Sequence, residues 1–262
     1  MFILKIKKVL VLPDLQCRVA RLGDPPGEDG KTLLALQKYV DANGPYDEGV
    51  QLGDWLDLPY FSRYDGGTRL EDALDYYEED VAIGCGVLEP FVAVCKKFTV
   101  LEGNHDHRFK QFLKKHPHLV GKIDSPEQWA KNYLKAAWVP YWSNKQLSVK
   151  IGKAEFIHGQ YCNKYHAEKH SREFLGSNVF YGHVHDIQSY SPRVRGPGGH
   201  TPAAMSLGCL CRFDQPWLNG DSVNWTQSFS EFFFFPDGNF TFFETRIFNN
   251  RFVGRDGKEY KG

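Results

Sequence analysis

Apolar and polar residues alternate along the first 185 residues in a way that predicts strands and helices in turn. Short apolar runs closed by turn-forming residues predict β-strands, and longer stretches with helical periodicity predict α-helices. The predicted strands cover residues 9–13, 49–53, 98–103, 147–152, 154–159 and 178–183. The predicted helices cover residues 31–42, 70–88, 107–116, 126–137 and 164–175. Strands that alternate with helices in this way are typical of an α/β core.

The pattern changes after residue 200, where strands predominate. Residues 204–210 and 230–248 predict strands, and the Pro-Asp-Gly-Asn turn inside the second segment predicts a hairpin. The aromatic run at 232–235 is more typical of a core strand between two layers than of a binding surface. We expect the strands of about 200–250 to form a second sheet, and the polar tail at 254–262 to be frayed.

Composition limits the classes of function. The 262 residues include 32 Lys+Arg and 32 Asp+Glu, so the net charge is zero, which argues against a general polyanion-coating role. The start of the chain lacks the features of a signal peptide, and no apolar stretch approaches the length of a membrane span. We therefore expect no membrane partner and a cytoplasmic location, which is the host cytoplasm if the chain is phage-encoded.

The six cysteines are scattered and form no CxxC pair. At this chain length such spacing argues against a disulfide framework, so we expect reduced, mostly buried thiols that take no part in the chemistry.

Polar side chains follow five of the predicted strands at the point where each strand ends. They are Asp14 and Gln16, then Asp54, then Asn104, His105 and Asp106, then His158, and finally His183 and His185. In open α/β sheets, ligands bind beyond the carboxyl ends of the strands. Five such ends would bring about seven oxygen and nitrogen donors into one cleft.

Each of these residues alone has a simpler explanation. Asp14 is a candidate turn or helix cap, His158 a candidate satisfied core histidine, and Asn104 next to Gly103 a common turn pair. The spacing of His183 and His185 on one strand face is more specific, because two such imidazoles are uncommon without a metal. The simpler explanations do not account for all five strand ends together.

Taken together, these residues resemble the calcineurin-like metallophosphoesterase superfamily, in its small phage and bacterial form. The matching motifs are PDLQ at 13–16, GD at 53–54, GNHD at 103–106, HG at 158–159 and GHVH at 182–185, in the family's order. The resemblance implies a four-layer α/β/β/α sandwich, in which two mixed sheets are flanked by helices in a single domain of residues 1–262. Within it, residues 107–146 would form a helical insertion or cap.

The resemblance also implies two divalent metal ions and a role for each motif residue. The first ion would be held by Asp14, Gln16, Asp54 and His185, and the second by Asp54, Asn104, His158 and His183. His105 would protonate or stabilise the leaving oxygen, and Asp106 would orient His105. The family hydrolyses phosphoesters with a hydroxide that bridges the metals, since two cations neutralise the phosphoryl oxygens and lower the pKa of water. Mn²⁺ is the favoured metal, with Fe, Zn²⁺, Mg²⁺ or Ni²⁺ as alternatives.

Gln16 departs from the family pattern, which has histidine at this position. An amide oxygen is a weaker and harder donor than imidazole, so the substitution predicts a weaker first site and a preference for Mn²⁺ over Zn²⁺. Direct ligation and ligation through water both remain open for Gln16.

The neighbourhood of the motifs offers further candidates. Residues 107–122 contain five Lys or Arg and no acid, so they form either a solvated helix face or a rim that attracts an anionic substrate, with Arg108 as the best substrate-binding candidate. Trp55, Tyr60 and Phe61 could stack on a nucleobase, but the simpler interpretation is that they pack in the core. The acidic helix 70–80 is interpreted as solvated. His166 and His170 are interpreted as surface residues.

The favoured function is a dinuclear metal-dependent phosphoesterase that acts on phosphodiester bonds of nucleic acid or nucleotides. A Mn²⁺-dependent nucleotide diphosphatase of the ADP-ribose/CDP-alcohol type, suggested by Gln16, and a phosphomonoesterase are the rivals within the class. A binding module that has lost its activity is the alternative outside it. Retention of His105 and of six of the seven family ligands argues against this module.

Overall fold

Strands and helices alternate through the computed structural model, which describes residues 5–21, 25–65, 67–141, 147–192, 204–215, 218 and 220–262. The strands are β1 (Lys7–Leu12), β2 (Glu48–Gln51), β3 (Phe98–Leu101), β4 (Ala137–Val139), β5 (Val149–Ile151), β6 (Ala154–Ile157), β7 (Asn178–Tyr181), β8 (Ser189–Tyr190), β9 (Ala204–Ser206), β10 (Ser228–Phe234), β11 (Phe240–Arg246), β12 (Arg251–Val253) and β13 (Glu259–Lys261). The helices are α1 (Gly30–Asn43), α2 (Leu70–Ala93), α3 (Arg108–Lys115), α4 (Pro126–Asn132) and α5 (His166–Glu173), with 3₁₀ turns at Pro59–Phe61 and Pro117–Leu119.

Two mixed sheets form the centre of the molecule. The first has the order β11-β10-β1-β2-β3-β4, in which β1 to β4 are parallel and β10 runs antiparallel to β1. The second has the order β5-β6-β7-β9-β8, with β6, β7 and β9 parallel. The carboxyl ends of β1, β2 and β3, and likewise those of β6 and β7, therefore lie side by side at one edge of each sheet.

Side chains of β1 alternate between the two faces of the first sheet, as the period of two along a strand requires. Val9 and Val11 pack between the sheets, together with Phe156 and Phe180 of the second sheet. Leu10 and Leu12 belong to the cluster on the other face, which the residues of α1 and α2 cover. Helix α5 contributes Ala167 to a third cluster on the far side of the second sheet. The predicted four-layer α/β/β/α arrangement is confirmed.

Helix α1 begins where its sequence predicts. Asp29 is the N-cap, and its carboxylate accepts a hydrogen bond from the backbone N–H of Thr32. The buried positions Leu33, Leu36 and Val40 then recur at helical spacing and pack on the first sheet.

The C-terminal hairpin belongs to the first sheet, so its predicted place in the second sheet is wrong. β10 pairs with β1 at the register Val9↔Phe232, and β11 continues the same sheet. The prediction failed because strand partners are set by contacts between distant segments. The aromatic run is a core strand in part: Phe232 and Phe234 face the second sheet, whereas Phe235 is 47% exposed.

Two other predictions of organisation require correction. The tail is not frayed, because β13 pairs with β12 and the Tyr260 ring packs edge-on against Tyr39 of α1. The segment 107–146 is not a wholly helical insertion, because strand β4 follows α4 in the chain and pairs with β3 at the edge of the first sheet. Residues 142–146 lie outside the described residues. Within the described residues, no helix has both the length and the apolar character needed to span a membrane.

Candidate metal centre

All five motif segments meet where the carboxyl ends of the two sheets adjoin. β1, β2 and β3 deliver their polar residues from the first sheet, and β6 and β7 deliver theirs from the second. The seven predicted ligands lie together in this cleft: Asp14, Gln16, Asp54, Asn104, His158, His183 and His185.

The residues predicted for the second metal direct acceptor atoms at one another. Nδ1 of His158 faces the carbonyl oxygen of Leu52 at 2.9 Å, so Nδ1 carries a proton. Its Nε2 faces two oxygen acceptors, Oδ1 of Asn104 at 2.9 Å and Oδ1 of Asp54 at 3.4 Å. Ligand atoms of Asp54, His158 and His183 all lie within 4.8 Å of one another. A cation between these atoms would relieve the repulsion between lone pairs.

The residues predicted for the first metal form an adjoining group. Asp14 is fully buried and accepts the backbone N–H of His183 at 3.0 Å. Nε2 of His185 lies 3.4 Å from Oδ1 of Asp14 and 3.4 Å from the amide nitrogen of Gln16. Oε1 of Gln16 is buried and has no hydrogen-bond partner. An orphaned carbonyl oxygen beside a carboxylate and an imidazole is suited to a hard divalent ion.

Electrostatics point to the same need for positive charge. Burial acts to raise the pKa of Asp54, but the charges of His158 and His105 outweigh burial and hold that pKa below its usual range. Burial also acts to lower the pKa of His185, yet the hydrogen bond to Asp14 prevails and raises it to about 9. In both cases the site favours a cation, whether a proton or a metal.

Backbone strain is concentrated at the predicted ligands. Gln16 (φ 50°), Asp54 (φ 50°), His183 (φ 71°) and His185 (φ 63°) adopt left-handed conformations. Such conformations are unfavourable for residues other than glycine and are typical of functional sites, where the fold enforces an otherwise strained geometry. The strain turns each strand end so that its side chain points into the cleft.

The motif glycines let the backbone approach the ligands. A Cβ atom on Gly182 would lie 2.0 Å from Oδ2 of Asp14, and one on Gly103 would lie 2.1 Å from Oδ1 of Asp54. Neither contact is sterically possible without displacement of the carboxylate. The glycines of GNHD and GHVH are therefore structural requirements for the positions of the Asp14 and Asp54 carboxylates.

His105 lies beside the predicted ligands and has a different set of contacts. Its Nδ1 is 2.8 Å from Oδ1 of Asp57, and its Nε2 is 3.1 Å from Nη2 of Arg108 and 3.8 Å from Oδ2 of Asp54. Burial acts to lower the pKa of His105, but the charge of Asp54 and the hydrogen bond to Asp57 outweigh it and raise the pKa above its ordinary value. Asp57 thus favours a proton on Nδ1, whereas the guanidinium of Arg108, which can only donate, bonds to Nε2.

Asp106 does not orient His105, so that prediction is wrong. Its carboxylate accepts the backbone N–H groups of Trp55, Leu56 and Gly103 at 3.2, 2.8 and 2.9 Å. Asp106 therefore ties the strand end of β2 to that of β3 and fixes the cleft. The residue that holds the His105 ring is Asp57, three positions after Asp54 in QLGDWLD, and this spacing was the available sequence signal.

Cys209 and Cys211 lie directly behind His185, a contact that no local sequence pattern predicts. Sγ of Cys211 is 3.7 Å from Nδ1 of His185, and the two sulfurs and the ring lie within 4.8 Å of one another. Burial raises the pKa of Cys211, so the group is a thiol. It packs on the Nδ1 side of the ring and leaves Nε2 facing Asp14 and Gln16.

His166 and His170 are buried, which corrects their assignment to the surface. His166 bonds the hydroxyl of Tyr181 at 2.7 Å and Oδ2 of Asp186 at 3.2 Å. His170 accepts the backbone N–H of Gln160 at 3.2 Å and stacks on the ring of Tyr181. Both face the second sheet, because α5 packs its polar-looking face inward.

The pH dependence of stability should reveal the buried His170. Burial lowers the pKa of His170 to about 4, so the folded protein binds fewer protons than the unfolded chain between pH 6.5 and 4. The unfolding free energy should therefore fall as the pH falls, by about 2 kcal/mol between pH 7 and pH 5 from this group. Urea unfolding at both pH values checks this.

The same urea unfolding at pH 7 and pH 5 is measured for His170→Gln. This variant should lose less stability between pH 7 and pH 5 than the unaltered protein. His118→Gln is the control, since His118 is exposed and its replacement should leave the pH dependence unchanged. Equal pH dependence in His170→Gln and in the unaltered protein would contradict the assignment.

The remaining sequence candidates divide between core and site. Trp55, Tyr60 and Phe61 are buried in the core cluster under α2, as the simpler interpretation predicts. Asp80 is an exception on the acidic helix, because it is fully buried and bonds Arg21 at 2.7 Å.

Among the described basic residues of segment 107–122, Arg108 is the one that lines a cavity at His105. Lys110 instead pairs with Glu102 at 2.7 Å. Most of this segment is therefore a solvated face, and Arg108 is the residue that reaches the site.

Known proteins offer distant likenesses. The chain is 26% identical to the gene 54 protein of Mycobacterium phage L5 over 246 residues, which cover 86% of this chain and 88% of the relative. It is also 26% identical to the gene 54 protein of Mycobacterium phage D29 over 245 residues, which cover 85% and 87%. No family model matches the chain.

Among solved structures, the NAD nucleotidase (NadN) of Haemophilus influenzae aligns with a TM-score of 0.39 and 9% identity. The alignment covers 98% of this chain, which spans 54% of the length of NadN. These likenesses assign no residue of this chain a role.

Proposed function

We propose that the protein is a dinuclear metal-dependent phosphoesterase that hydrolyses phosphodiester bonds of nucleic acid or nucleotides. The observation that carries the proposal is the meeting of Asn104, Asp54 and His158, in which two oxygen acceptors face Nε2 of His158 at 2.9 and 3.4 Å. Side chains so arranged are stabilised by bound cations.

The ligand sets follow from the two groups of contacts. Asp14, Gln16 and His185 would hold one ion, and Asn104, His158 and His183 would hold the other. Asp54 contacts His158 of the second group and lines the same cavity as Gln16 and His185 of the first, and it would be shared. When bound, divalent ions neutralise charge on a phosphoryl group and make water more acidic.

His105 and Arg108 would supply hydrogen-bond and proton donors, which the predicted metal ligands do not provide. In the hydrolysis, an oxygen from water bonds to phosphorus, the bond from phosphorus to the leaving oxygen breaks, and that oxygen needs a proton. His105 would donate it from Nε2, because Asp57 holds the opposite nitrogen and the charge of Asp54 outweighs burial and raises the pKa of the ring. In this structure the guanidinium of Arg108 donates to Nε2 at 3.1 Å, and a bound phosphoryl oxygen would accept from that guanidinium instead and free Nε2 for a proton.

A cavity of about 660 Å³ opens over the predicted ligands and gives a substrate access to them. Gln16, Asp54 and His183 line it together with Trp225 and Tyr165. Cavities of this size hold small organic ligands. A nucleotide phosphate could therefore reach both groups of ligands from solvent.

The test compares bis(p-nitrophenyl) phosphate with p-nitrophenyl phosphate, in Mn²⁺ and in chelator. We expect turnover of the diester in Mn²⁺, none in chelator, and slower turnover of the monoester. Folded protein that hydrolyses neither in any divalent metal would contradict an enzymatic function. Preference for the monoester would contradict the diesterase assignment, and ADP-ribose as a third substrate separates a nucleotide diphosphatase.

A further inference from the structure

A second cavity adjoins the 660 Å³ cavity that opens over the predicted ligands. Among the described residues, His105 is the one that lines both cavities. We name the second cavity the tyrosine–arginine cavity after six of its residues: Arg18, Arg21, Tyr60, Tyr64, Tyr76 and Arg108. Its volume is about 580 Å³, which is within the range of small-molecule sites. None of the predicted metal ligands lines it.

The position of His105 decides which part of a substrate would enter this cavity. His105 is the proton donor to the leaving oxygen in the proposed function, so the leaving group must lie against its ring. The predicted ligands occupy one side of that ring, and Asp57 and Arg108 occupy the side that opens into the tyrosine–arginine cavity. A leaving group longer than a few atoms would extend into it.

The walls of the cavity are planar and aromatic. The guanidinium of Arg21 lies 4.2 Å from the ring centroid of Tyr76 and 5.6 Å from that of Tyr60, and Asp80 fixes it at 2.7 Å. The ring of Tyr64 stands on the rim with 79% exposure and contacts the guanidinium of Arg63. Flat rings and guanidinium planes are the surfaces on which nucleobases stack.

The charges of the cavity favour a neutral group over a second phosphate. Arg18 pairs with Asp57 at 3.2 Å and Arg21 pairs with Asp80 at 2.7 Å, and Asp65 also lines the wall. The acids thus balance much of the positive charge of the arginines. The hydroxyl groups of Ser62 and Thr68 can serve the polar edge of a base.

We propose that the tyrosine–arginine cavity binds the nucleoside that leaves from a phosphodiester substrate, with its base against Tyr64 and Tyr76 and its sugar oxygen at His105. The assignment of the nucleoside as the leaving group rests on the proposed function. The binding of a nucleoside rests on the cavity alone. Hydrolysis would transfer a proton from His105 to the sugar oxygen as its bond to phosphorus breaks, which releases a free nucleoside into the cavity.

The first test measures binding without turnover. 2′-Deoxyadenosine is titrated into the metal-free protein in chelator and followed by saturation-transfer NMR. We expect binding that weakens about tenfold in Tyr64→Ala and is unchanged in Tyr133→Ala, an exposed tyrosine outside both cavities. Tyr64 is exposed, so its replacement should leave the fold intact. No binding, or equal binding in the two variants, would overturn the nucleoside site.

The second test measures selectivity in Mn²⁺. The ratio of kcat/KM for deoxyadenylyl-deoxyadenosine to that for the 3′ and 5′ methyl esters of deoxyadenosine monophosphate isolates the leaving nucleoside. We expect this ratio to fall about tenfold in Tyr64→Ala and to be unchanged in Tyr133→Ala. An unchanged ratio in Tyr64→Ala would overturn the leaving-group assignment. Absence of all turnover with binding that still depends on Tyr64 would overturn the proposed function and leave the nucleoside site standing.

Discussion

Replacement of Gly103 by alanine is expected to destroy the candidate metal centre and to destabilise the fold by roughly 3 kcal/mol or more. The added Cβ would lie 2.1 Å from both the backbone nitrogen and Oδ1 of Asp54. Asp54 cannot retreat freely, because it is 1% exposed and its Oδ1 accepts the N–H of His105 at 2.8 Å. Urea unfolding and calorimetric titration with Mn²⁺ measure both losses.

The matched control is Gly86→Ala on α2. Gly86 is exposed, and a Cβ there would meet nothing within 4 Å. Alanine is the better helix former by up to about 1 kcal/mol, so this variant should be as stable as the unaltered protein or more stable, with unchanged Mn²⁺ binding. A Gly103→Ala protein with normal stability and normal binding would show that the close approach of β3 to Asp54 is not required.

His105→Gln is expected to lower kcat for bis(p-nitrophenyl) phosphate by about 10²- to 10⁴-fold while metal content stays the same. His105 takes its contacts from Asp57 and Arg108 and lies outside both groups of predicted ligands. Its loss therefore removes the proton donor and leaves the ligands in place. Steady-state kinetics and metal analysis of the same preparation check the two halves of the prediction.

The neighbouring His107 offers the control for this variant. His107 contacts Glu102 at 3.3 Å and lines neither cavity at His105, so His107→Gln should retain nearly full activity. If His105→Gln lost metal together with activity, His105 would be a ligand. If it lost neither, His105 would not be the proton donor.

Local patterns were sufficient to predict the strands that carry the site. Val9 to Leu12 form a continuous apolar run, and this run is buried on both faces because β1 is a central strand covered by the second sheet and by helices. The sheet that the C-terminal hairpin joins was beyond such reasoning. Phe232 would be buried equally well in either sheet, and its pairing with Val9 depends on a contact between segments more than 200 residues apart.

In the candidate site, the predicted ligands could be identified from the sequence and the residues that support them could not. The meeting of the seven predicted ligands in one cleft could be predicted, because each follows a strand directly and parallel strands bring their carboxyl ends together. The residues that support them could not be predicted in this way. Asp57 reaches His105 through a turn held by Asp106, and Cys211 reaches His185 from an isolated bridge with Glu28. His166 looked exposed because helix α5 is polar by composition, whereas its hydrogen bonds to Tyr181 and Asp186 make burial favourable.

The measurement that tests the central claim most directly is the number of divalent ions held per chain. Protein dialysed against Mn²⁺ and analysed by atomic emission should hold two ions, and Asp54→Asn should hold fewer than one, because Asp54 is the ligand proposed to be shared by both ions. Asparagine keeps the size of the side chain and can still accept the N–H of His105. Two ions per chain in both proteins, or none in the unaltered protein, would contradict a dinuclear centre built on Asp54.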